Sequence, residues 1–349
     1  MAANPPLNEG QARRKARLPG FGGRNEKKVA ALLVAPVQIL IAFIVIFPAI
    51  IAIYIGFTSW SPTSGADFWH AYEFWHWFDG YGEALTDRGF WDAMWLTAWM
   101  TVVCVTVEFA LGFALALLLV KNFRGRGLVT VFFLLPMMVV PAVSGFIFFM
   151  IFQVDGPLNA ALTAFLPGQV TIEWLQNPSV AVWSVMIVDI WQWTPLMFLI
   201  FLSGLAALPE DQMNAARILG AGFWHQMRYL ILPMMKAVIL IAIIIRSIEA
   251  FKLFDAAYLL TQGGPGDATT NISLFLFDET AQNTRWGYAS SVAILVLIFV
   301  SVVGFWAIRP IEAAQEETLE ELTGAGAEPG AKSDPQPSIE EAIEAEAKV

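Results

Sequence analysis

The chain has 349 residues, of which 57% are hydrophobic and 14% charged, and its mean hydropathy is +0.60. Soluble domains run nearer ~45–50% apolar and ~25% charged, so the composition excludes an ordinary soluble fold and indicates a polytopic membrane protein. The formal net charge of −10 is concentrated in Ile311–Val349, which holds eleven Asp/Glu against two Lys; the rest is nearly neutral, which argues against a basic nucleic-acid surface.

In chain order, the first element is a basic tail, residues 1–30, carrying Arg13, Arg14, Lys15, Arg17, Arg24, Lys27 and Lys28. The apolar run behind it is long and is followed by no small-residue cleavage site, so it reads as a retained first span and not as a secretory signal. A spanning helix needs about 20 mainly apolar residues. Six segments qualify, roughly 31–57, 92–120, 128–152, 180–206, 234–260 and 287–308. Prolines 48, 136, 141 and 195 fall inside them; membrane helices tolerate such breaks where neighbours re-satisfy the freed backbone groups. Beyond residue 310 the acidic tail, rich in Ala, Glu, Pro and Gly, is expected to be disordered, with weak helix near Ile339–Lys348.

Basic residues alternate between the loops. Lys121, Arg124 and Arg126 follow the second span; Arg217 and Arg228 follow the fourth, with Lys236 just beyond. The other three loops hold only Arg88, none, and Arg285. By the positive-inside rule both termini and the 207–233 loop are expected in the cytoplasm. The tryptophans at 60, 69, 75, 77 and 91 suggest an aromatic belt along the outer interface. Cys104 stands alone in an apolar run and reads as a small buried hydrophobe; one cysteine supplies neither an internal disulfide nor a cysteine-based metal site.

Residues 208–233 read as helix, turn, helix. Pro209 suits a first helical position, Glu210 and Asp211 suit the positive end of the helix dipole, and Gly220 is placed for a left-handed cap. Phe223 and Trp224 are awkward in water and call for lipid, the bundle or a partner.

The fifth run carries Arg246, Glu249, Lys252 and Asp255 at a spacing of three, along one drifting helix face with alternating sign. Two readings stay open for this row: the wall of a hydrophilic pathway, or a self-compensating ion-pair ladder within the helix. The fourth run holds Asp189 beside Trp191, Gln192 and Trp193. This is either a sugar-holding acid with stacking rings or a structural acid bonded to another span. Glu108, isolated in the second run, reads as structural. No metal-like spacing links His70, His76 and His225, and no G-x-x-x-x-G-K-[ST] phosphate loop is present, so catalysis and nucleotide binding within this chain are unsupported.

The stretch LPEDQMNAARILGAGFWHQMRYLILP resembles the EAA loop of binding-protein-dependent ABC importer permeases. Ala215, Ala216, Gly220, Leu230, Leu232 and Pro233 fit the pattern in register; Asn214 stands where the family has Glu, and Leu219 where it often has Asp. RGRGLVTVFFLLPMMVVPAVSG (124–145), WQWTPLMFLIFLSGLAALP (191–209) and FKLFDAAYLLTQGGPGDATT (251–270) are similar to further segments of the carbohydrate-uptake members, of maltose and glycerol-phosphate type, so the resemblance covers about residues 30–310. It implies a six-span, all-α type I importer permease with a cytoplasmic coupling helix in 208–233, in the plasma (inner) membrane of a prokaryote. Asn214, Ala215, Ala216, Arg217, Gly220, Leu232 and Pro233 would form the ATPase-coupling loop. Asp189, Trp191, Trp193, Arg246, Glu249, Lys252 and Asp255 are the candidates for the substrate pathway. The implied partners are a second permease, two ABC ATPase subunits that bind ATP and Mg, an extracytoplasmic binding protein and a carbohydrate; no cofactor is expected in this chain and no nucleic acid. The rival reading is a stand-alone secondary transporter or channel with the 246–255 row as an ion relay; six spans without inverted symmetry argue against it.

Overall fold

A computed structural model describes residues 24–168 and 171–324, and among these the chain is helical apart from turns and one isolated antiparallel bridge, Thr58 to Trp75. Residues 1–23 of the basic tail and 325–349 of the acidic tail, including the helix expected near Ile339, lie outside the described residues. The helices used below are α1 (Arg24–Ile41), α2 (Phe47–Gly56), α3 (Arg88–Leu119), α4 (Arg126–Met138), α5 (Pro141–Ile151), α6 (Pro178–Ala206), α7 (Glu210–Ile218), α8 (Phe223–Gln226), α9 (Lys236–Phe251), α10 (Asp255–Thr261) and α11 (Trp286–Gly324).

Leu32–Gly56, α3, α6 and Trp286–Ala307 are each long and apolar enough to cross a membrane. The third and fifth apolar runs are not the simple spans expected. α4 meets α5 at 94°, and Phe223–Met234 meets Lys236–Thr261 at 68°, so six spans are reached only with each bent pair counted as one. Pro141 explains the first break, since it disfavours helix in the residue before it, and Val140 is extended (ψ 134°). α11 also runs past residue 310 to Gly324, where the sequence suggests disorder. Ala, Glu and Leu are strong helix formers, and a span already in place provides the nucleus such a stretch lacks alone.

The chain divides into two compact units. The first comprises residues up to Ala84 together with Asn283–Ile294. Its small core is Ile55, Trp60 and Ala71. Trp60 is therefore no interfacial tryptophan: it is 6% exposed, donates from Nε1 to the Ala66 carbonyl (3.0 Å) and meets the Trp286 ring edge-on at 6.0 Å. Trp69 and Trp77, by contrast, are exposed as a belt requires.

The second unit comprises Leu85–Gln282 and the chain from Leu295 onward. Its centre is the long packing of α3 against α6, with Phe113, Met197, Phe198 and Phe201 at one end and Met100, Cys104, Val185 and Met186 at the other. Cys104 is buried, as expected. The close approach depends on Gly112: a Cβ there would lie 2.7 Å from Met197 Cβ and 2.9 Å from the Phe198 nitrogen, both on α6. Small residues at such crossings let membrane helices pack backbone to backbone. Gly112→Val is expected to abolish recovery of monodisperse protein in detergent, while Gly127→Val, where a Cβ meets open space, leaves it unchanged.

Two interruptions, the α4–α5 break and the α9–α10 junction, each expose a carbonyl that a distant amide then satisfies. Gln192 Nε2 donates to Val139 O (2.8 Å) at the α4–α5 break, and Asn271 Nδ2 donates to Leu253 O (2.6 Å) between α9 and α10. In an apolar surrounding an unpaired carbonyl costs about 1–3 kcal/mol. Gln192→Leu is therefore expected to lower thermal stability in detergent by that order, and Gln192→Glu, which cannot donate when ionised, by no less.

Candidate functional site

The intramembrane charges converge on one buried group in the second unit. Arg246 of α9 donates from Nε to Glu108 Oε2 (2.6 Å) and from Nη2 to Glu108 Oε1 (2.8 Å), a two-pronged pair with α3. The same Nη2 donates to Asp189 Oδ2 on α6. The three side chains are 1%, 0% and 3% exposed. Trp193 covers the guanidinium, its ring centroid 5.4 Å away. The planar fork of Arg suits two carboxylates at once, where a Lys would be a single point charge.

This arrangement departs from the ion-pair ladder, one of the two readings open for the row. Arg246 pairs with two other helices and not with Glu249. Glu249 instead takes Lys252, at 2.9 Å, and both are substantially exposed. The row is also no continuous helix face, because α9 ends at Phe251 and Asp255 opens α10. Asp189 is bonded to another span through Arg246, and Glu108 is fully buried in the same ion pair. What the residues alone did not show is that the two acids share one arginine. The available signal was charge pairing: buried intramembrane charges face one another, and Arg246 and these two acids are each 3% exposed or less.

Beside the triad lies a cavity of about 240 Å³, bordered by Asp189, Gln192, Trp193, Glu249, Lys252 and Asp255, with Pro141 and Phe254 as apolar wall. Six of the seven pathway candidates thus gather here, five on the cavity wall and Arg246 behind it. Trp191 does not: its ring packs on Phe148 of α5 at 5.1 Å. Helical geometry explains this, since positions 189, 192 and 193 share one face while 191 points away from it.

The 208–233 loop forms the expected knob. Pro209 is extended (ψ 117°) and stands just before α7, one place earlier than the first helical position expected of it, with Glu210 and Asp211 in the first turn. Gly220 has φ +82°, the left-handed region glycine enters without penalty; its N–H bonds to Arg217 O (3.0 Å), and that of Ala221 to Ala216 O (2.9 Å). The second helix is shorter than expected: α8 ends at Gln226 and a wider turn, Met227–Ile231, leads to Leu232 and Pro233. Leu232 packs on the apolar core of the unit. Asn214 accepts from Arg217 Nη1 at 3.4 Å, so the two polar coupling candidates face each other on one turn. Ile218, Leu219 and Trp224 are 80% exposed or more. Ala216, Gly220, Ala221, Gly222, His225 and Tyr229 border an open groove of about 500 Å³ beside them. Ala215 is exposed on the same helix.

A helical bundle with broken spans, a charged intramembrane cavity and a projecting, Gly-hinged loop defines the class: a polytopic membrane transport subunit. A family model described as "Binding-protein-dependent transport system inner membrane component" matches residues 108–315, a range that includes the triad, the cavity and the loop. The trehalose transport system permease protein SugA of Mycobacterium tuberculosis is 32% identical over 301 residues, 83% of this chain and 90% of that one. The trehalose/maltose transport system permease protein MalF of Thermococcus litoralis is 35% identical over 225 residues, covering 64% and 75%. A chain of the bacterial alginate ABC transporter, crystallised with an alginate pentasaccharide-bound periplasmic protein, superposes with a TM-score of 0.70 at 17% identity, covering 83% of this chain and 96% of that one. The chain belongs to the family of inner-membrane components of binding-protein-dependent transport systems, and its fold is the type I importer permease fold.

Proposed function

We propose that this chain forms part of the translocation pathway of an ATP-driven importer for a sugar or sugar-like solute: an oligosaccharide, monosaccharide, polyol or sugar phosphate handed over by an extracytoplasmic binding protein. Relatives named for trehalose and maltose transport support the carbohydrate class. The observation that carries the pathway assignment is the cavity that Asp189, Gln192, Glu249, Lys252 and Asp255 line together with Trp193. Polar groups there serve hydroxyls, and the ring serves the apolar face of a sugar.

The 208–233 loop is the coupling element. Its exposed Ile218, Leu219 and Trp224 and its small-residue groove fit a cleft on a partner ATPase, two copies of which supply ATP and Mg binding, and a second permease completes the pathway. This chain contributes no ATPase site. The bias of basic residues supports placing the loop and both termini on the cytoplasmic side. Asn214, already engaged by Arg217, offers the ATPase a hydrogen bond in place of the carboxylate the family uses. Asn214→Glu is expected to leave assembly intact and to tighten the hold on the ATPase about two- to fivefold, read as retention during purification at rising salt.

The pathway assignment is tested by uptake of radiolabelled sugars into vesicles carrying the complete importer. Trp193→Ala and Glu249→Gln, with assembly verified, are expected to cut uptake at least fivefold; unchanged uptake in both removes the assignment.

A further inference from the structure

The charges around the cavity do not balance. Asp189, Glu249 and Asp255 border it, and Lys252 is the one cation in its wall. Behind the wall, Glu108 and Arg246 cancel. The formal balance is therefore two negative charges around a space of about 240 Å³. Asp189 accepts from Arg246, and Glu249 accepts from Lys252 at 2.9 Å.

From this we infer that the cavity selects against anionic solutes, so that of the sugar-like molecules left open above, the neutral ones pass and sugar phosphates and sugar acids are held back. This rests on the cavity lining the pathway, as proposed above. A like charge brought within several ångströms of these carboxylates is repelled, because that separation is shorter than the screening length of physiological salt. Neutral hydroxyls meet no such barrier and gain the carboxylates as acceptors. The volume lies below the ~300 Å³ typical of pockets for drug-sized ligands, which suits a single sugar ring passing Trp193 at one time.

The test needs no knowledge of the solute. In the assembled importer, in membrane vesicles, Leu253→Cys places a thiol on the cavity wall; Cys104→Ala removes the native one, which is 1% exposed. Ala256→Cys offers a second wall position should the first not assemble. The rates of modification by a cationic (trimethylammonium-ethyl) and an anionic (sulfonato-ethyl) methanethiosulfonate are compared with those for free 2-mercaptoethanol. We expect the cationic reagent to be favoured roughly tenfold beyond its advantage on the free thiol. Glu249→Gln with Asp255→Asn should erase most of that preference, and Lys252→Gln should increase it. A ratio equal to that of the free thiol, or one unmoved by these substitutions, overturns the inference even where neutral sugars are transported. A preserved ratio with no uptake of any neutral sugar overturns instead the pathway reading on which it rests, and the selectivity for solute falls with it.

Discussion

Arg246→Ala is expected to be the most damaging single substitution in the chain, destabilising it by roughly 3–5 kcal/mol. The figure follows from breaking a buried ion pair by removing one partner, which leaves uncompensated charge. Here two carboxylates, Glu108 and Asp189, 0% and 3% exposed, would lose their shared donor. Arg246→Lys should recover only part of the loss, since an ammonium cannot reproduce the two-pronged contact with Glu108 together with the bond to Asp189. The triple replacement Arg246→Met, Glu108→Leu, Asp189→Leu is the informative control. Removing every charge at once avoids the penalty, so stability should return to near the native value. Thermal unfolding of the purified protein in detergent, followed by size-exclusion fluorescence, reads all three. A triple variant as unstable as Arg246→Ala would show that the triad matters for more than charge compensation.

Gly220→Val is expected to abolish coupled transport while leaving the protein in the membrane. At φ +82° an L-residue costs on the order of 1–2 kcal/mol, more for a β-branched one, and the loop can relieve that strain only by changing the angle between α7 and α8. No atom crowds a Cβ at this position, so the effect is one of backbone direction and not of a clash. Expression and thermal stability should stay close to native. ATP-dependent uptake should fall at least tenfold, and stimulation of ATP hydrolysis by the loaded binding protein should be lost. Gly220→Ala should lie between the two. Full uptake in the valine variant would mean that the loop does not need this turn in order to dock.

Much of this was legible from the residues, because the dominant forces are local. Runs of apolar residues mark the six membrane segments, and Pro209, Gly220 and the acids of the first turn mark the knob. What stayed hidden depended on distance in space. Glu108, Asp189 and Arg246 stand 57 to 138 residues apart, and the local rule that pairs opposite charges three positions apart pointed Arg246 to Glu249 instead. The breaks were hidden for a similar reason. Pro141 was visible, but Gln192 and Asn271, whose amides satisfy carbonyls at the α4–α5 break and the α9–α10 junction, come from distant parts of the chain. Trp191 and Trp60 were misplaced because an aromatic residue in a membrane sequence packs inward as readily as it faces an interface, and only its neighbours decide.

The most direct test of the central claim is transport by the purified assembly. The chain is co-expressed with its neighbouring permease, ATPase and binding protein, purified through a tag on this chain, and reconstituted into liposomes. The account predicts that the ATPase co-purifies, and that neutral sugar enters only with ATP on the ATPase side and the binding protein on the other. Uptake that persists without ATP and follows an imposed ion gradient, with no ATPase bound, would contradict it and restore the 246–255 charges to the role of an ion relay.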